Sequence, residues 1–359
     1  KDAIEKLVVL EEKYGLDALL IAPSADLQFF MGFSPYLCER FQGLFVKKNG
    51  ECFYIANLLS KEEIAKELKP DGRIYSWWDG DDYVEVVSQI LEKEGLKNKV
   101  IGTSESVRAF HVLNIMQHFP VRFTSARDLL DETRIHKSKD ELDSLRKAAE
   151  IADQALEKAL KKIHPGMTER QIGATLFAEM SALGGKNPGG LICCGPNTGY
   201  PHYALTGDGR TLQERDILLM DFGCTVNGFY SDMTRTVFFG EPSEKERSIY
   251  NSVLEANLAG EKAAFSGAYI PDIDRAARDI IEQTGYGDTF TTRPGHGIGC
   301  KVHEAPDIKQ SNKRNLESGM AFSIEPGIYI AGEYGGMNES LAQLYQLTGD
   351  IRFLQTAMK

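Results

Sequence analysis

Two consecutive domains are what this sequence predicts: a small α/β domain over residues 1–131, then a second domain of helices and strands arranged around a β-hairpin. Three observations carry that reading. Apolar, strand-like runs alternate with helical patterns over about the first 125 residues, the signature of an α/β layer structure. A charged break at residues 131–138 precedes a long helical pattern that starts at Lys139. Residues 216–240, D-I-L-L-M-D-F-G-C-T-V-N-G-F-Y-S-D-M-T-R-T-V-F-F-G, place two apolar, aromatic and β-branched runs on either side of Asn227-Gly228, a pair suited to a two-residue type I′ turn.

In chain order, residues 2–14 show an amphipathic helix with Ile4, Leu7 and Val8 on its apolar side, ended by Gly15. The run D-A-L-L-I-A from Asp17 reads as a buried strand, and strands at 43–46 and 51–55 flank a turn at Asn49-Gly50. Residues 61–68 and 83–93 are helical in pattern, with a short strand at 99–102. Trp77-Trp78, followed by Asp79, Asp81 and Asp82, reads as an aromatic pair on a loop; packing within the domain is favoured over a substrate loop because aromatics mostly bury. Neither G-x-G-x-x-G nor G-K-[ST] occurs in this half, so nucleotide binding has no support.

The second domain opens with helices at 139–163, stopped by His164-Pro165-Gly166, and at 168–183, where Thr168-Glu-Arg-Gln forms a capping box. Residues 184–209 read as loop-rich, with two short apolar pieces and G-P-N-T-G-Y-P-H-Y around His202. In the hairpin, an I′ turn sets Val226 opposite Phe229, Gly223 opposite Asp232 and Asp221 opposite Thr234. Side-chain alternation then puts Asp221, Asp232 and Thr234 on one face. The two aspartates become diagonal neighbours about 7–8 Å apart at the backbone. Among Leu218, Leu219, Met220, Phe222 and Phe229, two carboxylates repel and lose hydration unless a cation lies between them. The alternative is that one or both sit at strand ends in water.

Helices at 243–265 and 271–284 follow, and then R-P-G-H-G-I-G-C-K-V-H-E-A-P at 293–306. Glycines beside His296 strip away side chains, allowing backbone and imidazole to approach a ligand, and a bend at Gly297 and Gly299 lets His296 and His303 face one cleft. In A-F-S-I-E-P-G-I-Y-I, Glu325 sits within an apolar strand and needs a partner, because buried glutamates rarely stand alone. Two Asp, one His and one Glu make an oxygen-rich set suited to Mn, Co, Fe or Zn in a two-metal hydrolytic site.

Composition bounds the alternatives. The 359 residues are 42% hydrophobic and 26% charged, ordinary for a soluble globular chain, without an apolar run long enough to span a membrane. A formal net charge of −11 argues against nucleic acid, which needs a basic face. Six cysteines without a C-x-x-C pair read as reduced thiols, and the expected location is the cytoplasm.

These pieces together resemble the pita-bread metallopeptidases, and among them the Xaa-Pro group of prolidase and aminopeptidase P. The motifs are P-H-Y at 201–203, M-D-F-G with S-D-M-T-R-T within 220–236, G-H-G-I-G with V-H-E-A-P within 295–306, and I-E-P-G-I-Y at 324–329. The resemblance spans about residues 1–336. It implies an α/β N-terminal domain followed by an α+β pita-bread catalytic domain (creatinase/aminopeptidase-like) over 132–336. It also implies a homodimer and two divalent ions, Mn²⁺ first. Asp221 would bind one ion, Asp232 would bridge both, and His296 and Glu325 would hold the other. Glu325 would also act as general base toward a bridging hydroxide, with His202 and His303 contacting substrate. The implied reaction is hydrolysis of the bond before proline in Xaa-Pro dipeptides or N-terminal Xaa-Pro peptides. A metal-independent creatinase-like hydrolase and a catalytically silent peptide- or partner-binding homologue are the alternatives.

One stretch departs from the family pattern. After Tyr334-Gly335-Gly336 a strand carrying Arg and a second bridging Glu is expected, yet residues 337–359 read M-N-E-S-L-A-Q-L-Y-Q-L-T-G-D-I-R-F-L-Q-T-A-M-K, with Leu341, Leu344, Tyr345 and Leu347 at helical spacing. Glu339 lies one position short of the expected fifth ligand. Three accounts stand: Glu339 serves through a shifted register, the ligand is lost, or the tail is foreign to the fold. A one-residue slip turns a strand's side chains to the other face.

Overall fold

The computed structural model describes residues 2–68, 73–330, 337 and 338. They divide into two units, Lys1–Arg134 and Ile135–Lys359. The first runs α1 (Asp2–Lys13), β1 (Ala18–Ile21), α2 (Ala25–Met31), β2 (Gly43–Lys47), β3 (Cys52–Asn57), α3 (Leu58–Glu67), β4 (Arg73–Trp77), α4 (Tyr83–Lys93), β5 (Val100–Thr103), α5 (Ala109–His118), β6 (Arg122–Ser125) and α6 (Arg127–Arg134). Its six strands form one sheet in the order β4-β3-β2-β1-β5-β6. The centre of that sheet is antiparallel (β1 with β2, β2 with β3), and its flanks are parallel.

Strand alternation distributes the sheet's side chains between two cores. Ala18, Leu20, Phe45, Phe53 and Ile101 pack with Val87 and Leu91 of α4 and Ile115 of α5. Leu19, Ile21, Leu44, Val46 and Tyr54 pack with Leu7 of α1, Ile64 of α3 and Leu129 of α6. Both faces are therefore covered, each fully buried large side chain contributing about 1.5–3 kcal/mol. Trp77 differs from the loop reading: it ends β4, is 6% exposed and donates its indole N–H to the Phe41 carbonyl at 3.0 Å, whereas Trp78 is 57% exposed. The first unit closes at Arg134, whose buried guanidinium pairs with Asp26 and with Asp131.

The second unit contains α7 (Lys139–Leu160), α8 (Glu169–Ala182), β7 (Lys186–Cys194), β8 (Ile217–Val226), β9 (Phe229–Tyr230), β10 (Met233–Phe238), α9 (Glu244–Ala263), α10 (Ile270–Gln283), β11 (Gly295–Gly297), β12 (Glu304–Ile308), β13 (Gly327–Ile328) and β14 (Met337–Asn338). Capping boxes start α7 (Ser138 with Glu141), α8 (Thr168 with Gln171) and α9 (Ser243 with Glu246), each satisfying two otherwise orphaned N–H groups. A central sheet in the order β10-β8-β7 lays Leu218, Met220, Phe222 and Cys224 against Ala152, Leu156, Leu176 and Met180 of α7 and α8. The opposite side chains of β8 are thereby left to face a cavity.

Three expectations change here. Residues 184–209, read as loop, begin with the nine-residue strand β7, which pairs antiparallel with β8. K-N-P-G-G carries no strand propensity, and it is the open edge of β8 that recruits it. Glu325 lies outside a strand: Gly297 and Phe322 form an isolated bridge, and β13 starts only at Gly327. Pro326 lacks the N–H that would continue a ladder through this point. Met337 and Asn338, read as the beginning of a helical tail, pair as β14 with Ile328 and Gly327. The remainder of the tail, with Glu339, lies outside the described residues.

Candidate metal centre

The hairpin turns at Asn227 (φ 51°) and Gly228 (φ 83°), both positive as a type I′ turn requires. Its register sets Asp221 opposite Thr234 and Val226 opposite Phe229, as the sequence predicts. Between β9 and β10 the pairing continues through Ser231, whose N–H donates to the Cys224 carbonyl at 2.8 Å while its Oγ accepts from the Cys224 N–H at 3.0 Å. This carries the chain past Asp232, so that Asp221 and Asp232 turn to the same cavity, which measures about 860 Å³.

His296 reaches that cavity from β11. Its backbone N–H donates to Ser323 Oγ at 3.1 Å, and its carbonyl accepts the Ser323 N–H at 2.8 Å. The flanking glycines serve this packing rather than a ligand: a Cβ on Gly297 would lie 2.2 Å from the Ala305 carbonyl oxygen. Imidazole Nδ1 stands 3.0 Å from the Gly297 carbonyl, which can only accept, so Nδ1 carries a proton and Nε2 faces the cavity. Nε2 lies 2.9 Å from Glu325 Oε1 and 3.3 Å from Asp232 Oδ2. Glu325 thus has the partner its apolar surroundings demand.

The register between β11 and β12 shifts at Gly295 to Gly297, and that irregularity brings His303 to the same side. The rings of His296 and His303 meet edge to face with centroids 4.1 Å apart. Ligand-type atoms of Asp232, His296 and His303 lie within 4.8 Å of one another. His202 is exposed and lines the same cavity. All six of these predicted site residues therefore line one cavity, Asp232 and His296 buried and His202 and His303 exposed, while Glu339 falls outside the described residues.

Electrostatics show what this group lacks. Burial, followed by the charges of Asp232 and Glu325, pushes the Asp221 carboxyl well above the usual carboxylate range. For His296, burial opposes the charged form, but hydrogen bonds to Asp232 and Glu325 prevail and raise it to about 10. His303 is lowered by burial and by the cations His296 and Arg293. Among the described residues, the His296 imidazole is the group that pairs directly with Asp232 and Glu325. The donor set, with oxygen ligands around an imidazole whose Nε2 is aimed inward, fits divalent ions that would supply the missing positive charge.

Sequence reasoning gave no role to Ser323, Arg293 or Tyr329. Ser323 orients the His296 backbone, and Arg293 and Tyr329 line the cavity. Their signal was adjacency alone, since each lies within three to four residues of a predicted ligand in the quoted motifs.

Comparison with known proteins agrees with this geometry. Residues 143–353 match the model of metallopeptidase family M24, and residues 4–136 match that of the creatinase/prolidase N-terminal domain. The Xaa-Pro dipeptidase of Pyrococcus furiosus is 32% identical over 362 residues, covering 99% of this chain and 98% of the relative. A crystal structure of prolidase from Thermococcus sibiricus superposes with a TM-score of 0.87 at 29% identity, covering 94% of this chain and 92% of that one. A dipeptidase from Pyrococcus horikoshii gives a TM-score of 0.84 at 30% identity, covering 94% and 93%. The chain belongs to metallopeptidase family M24, with a creatinase/prolidase N-terminal domain preceding a pita-bread catalytic domain.

Proposed function

We propose that this peptidase hydrolyses the bond preceding proline in Xaa-Pro dipeptides or N-terminal Xaa-Pro peptides, with two divalent ions, Mn²⁺ first among them. The observation that carries the reading is that Asp232 and Glu325 converge on His296, with Asp221 beside both carboxyls, in one cavity of a chain whose relatives include an Xaa-Pro dipeptidase. Asp221, Asp232, His296 and Glu325 would hold the ions, which when bound supply Lewis-acid activation of water and of the scissile carbonyl. Glu325, beside His296 Nε2, takes a proton on its carboxylate oxygen from the attacking water. His303, held toward its neutral form, donates a ring N–H to the developing oxyanion, and His202, which lines the same cavity, orients the substrate. Proline offers no N–H, so selection rests on ring shape and tertiary-amide geometry.

The test is hydrolysis of Ala-Pro and of a longer Xaa-Pro peptide, with and without added Mn²⁺ or Co²⁺, and metal content measured on the same sample. Ion-dependent release of the N-terminal residue is expected. Turnover that persists in a chelator would favour the creatinase-like reading. No turnover with less than one firmly bound ion per chain would favour the silent homologue.

A further inference from the structure

We infer that Glu169 is a positioning residue for the proposed reaction: its buried carboxylate ties both ends of the loop that carries His202 to the start of α8. Glu169 is the first residue of α8, and it is 0% exposed. A fully buried glutamate needs compensation for lost hydration, and here it comes from one loop. Oε1 accepts the Cys194 N–H at 2.9 Å and the Asn197 amide at 2.8 Å. Oε2 accepts the Tyr203 hydroxyl at 3.0 Å and the Arg210 N–H at 2.9 Å.

Residue 194 is where β7 ends, and residue 210 is where the chain turns back toward β8, so one carboxylate closes the loop at its base. Tyr203, adjacent to His202, fixes its middle and also lines the active-site cavity. The seat is tight, because a Cβ on Gly209 would lie 2.3 Å from Glu169 Oε2. The N-terminal dipole of α8 further favours the anion.

All four partners donate, and two are backbone N–H groups that cannot reverse. A carboxylate satisfies this arrangement, but an amide does not: Gln at this position presents its oxygen to one backbone N–H and its NH₂ to the other. Glu169→Gln therefore preserves size and leaves one donor facing a donor, which releases one end of the loop.

The experiment compares wild type, Glu169→Gln, Asn197→Ala, His202→Ala and the double variant Glu169→Gln/His202→Ala. Amide hydrogen exchange over residues 194–210 is expected to speed up by about ten-fold or more in Glu169→Gln, with the hairpin at 216–240 unchanged. Asn197→Ala, which keeps the charge and both backbone bonds, is expected to show a smaller change of the same sign, and it serves if Glu169→Gln fails to fold. Kinetically, kcat of Glu169→Gln on Ala-Pro is expected to fall by about ten-fold with metal content unchanged, and the loss is expected to vanish in the His202→Ala background. Unchanged loop exchange, or an equal loss with and without His202, would overturn the inference. The kinetic arm rests on the Xaa-Pro reading, but the exchange arm needs no turnover. A wild type that cleaves no Xaa-Pro bond would sink that reading while exchange still decided the anchor.

Discussion

Gly190 offers a direct test of how closely the central sheet constrains the proposed metal ligands. It sits in β7 opposite Phe222 with φ +153°, and a methyl group there would lie 2.1 Å from the Asp221 carbonyl oxygen and 2.6 Å from the Phe222 Cα. Ordinary non-bonded contact lies near about 3.5 Å, so Gly190→Ala forces β7 and β8 apart by more than about 1 Å at the residue that carries Asp221. Overpacking of this kind costs about 1–3 kcal/mol. A shift of about 1 Å at a reacting group lowers rate by about 100-fold. The assay is kcat/KM on Ala-Pro with saturating Mn²⁺, together with metal content and thermal midpoint. Gly190→Ala is expected to lose about 100-fold in kcat/KM and about 2–12 °C in midpoint, at about 2–4 °C per kcal/mol for a unit of this size. The neighbouring Gly189, where an added Cβ meets nothing within 4 Å, provides the control, and Gly189→Ala is expected within about three-fold of wild type. Gly190→Ala with near-wild-type kcat/KM would refute the reasoning, since Asp221 would then tolerate a displaced backbone.

Three other perturbations follow from the same physics. Asp221, raised by burial beside Asp232 and Glu325, destabilises the ion-free protein as pH rises past the ordinary carboxylate range. Asp221→Asn is thus expected to melt higher than wild type in chelator at pH 8 and to lose most of the Mn²⁺-induced rise in midpoint; retention of the full rise would remove Asp221 from the ligand set. Glu11 is 0% exposed, its oxygens accept no hydrogen bond among the described residues, and burial lifts its pKa from 4.5 to about 8. Because the folded pKa is raised, its contribution is intact below about pH 4.5 and is lost as pH climbs through about 8, so Glu11→Gln is expected to stabilise the first unit by about 5 kcal/mol at pH 9 and by little at pH 4. Calorimetric scans at the two pH values check this, and equal gains at both would count against it. Lys137 Nζ meets Glu304 Oε1 at 2.5 Å with side chains 1% and 2% exposed. Lys137→Met is expected to destabilise the second unit by about 3–5 kcal/mol, and Lys137→Met/Glu304→Leu to recover most of it, as read from urea midpoints.

What was legible in the sequence was whatever rests on local chemistry. Asn227-Gly228 dictates a positive-φ turn, and the two-residue period then delivers the Asp221–Thr234 pairing without tertiary information. Helix α4 matches the helical pattern at 83–93, and the structure shows Asp82 capping its start. Elements held by their neighbours were not legible. Strand β7 exists because β8 offers an edge, and β4 and β6, at the margins of the first sheet, are short and partly polar. Glu325 was singled out for its apolar surroundings, yet only the structure shows that Pro326 keeps it off a ladder and that His296 is its partner. Likewise Glu169 read as part of a capping box, and its four acceptor contacts depend on a loop that folds back from residues 194–210.

The hairpin also has a bearing on how the centre comes together during folding. Its ladder joins residues only 21 positions apart at most, from Ile217 to Phe238, and the turn at its apex closes a very short loop. Hairpins of this kind form in about 1–10 μs. His296 and Glu325 come from segments far along the chain, and they join the aspartates only after contacts of long sequence separation have formed, the slow kind of ordering. An acidic half-site therefore precedes the complete one. If Asp221 and Asp232 are ligands as proposed, a divalent ion would meet these two aspartates first, and the later arrival of β11 and its imidazole would convert a weak, open pair of carboxylates into an enclosed centre.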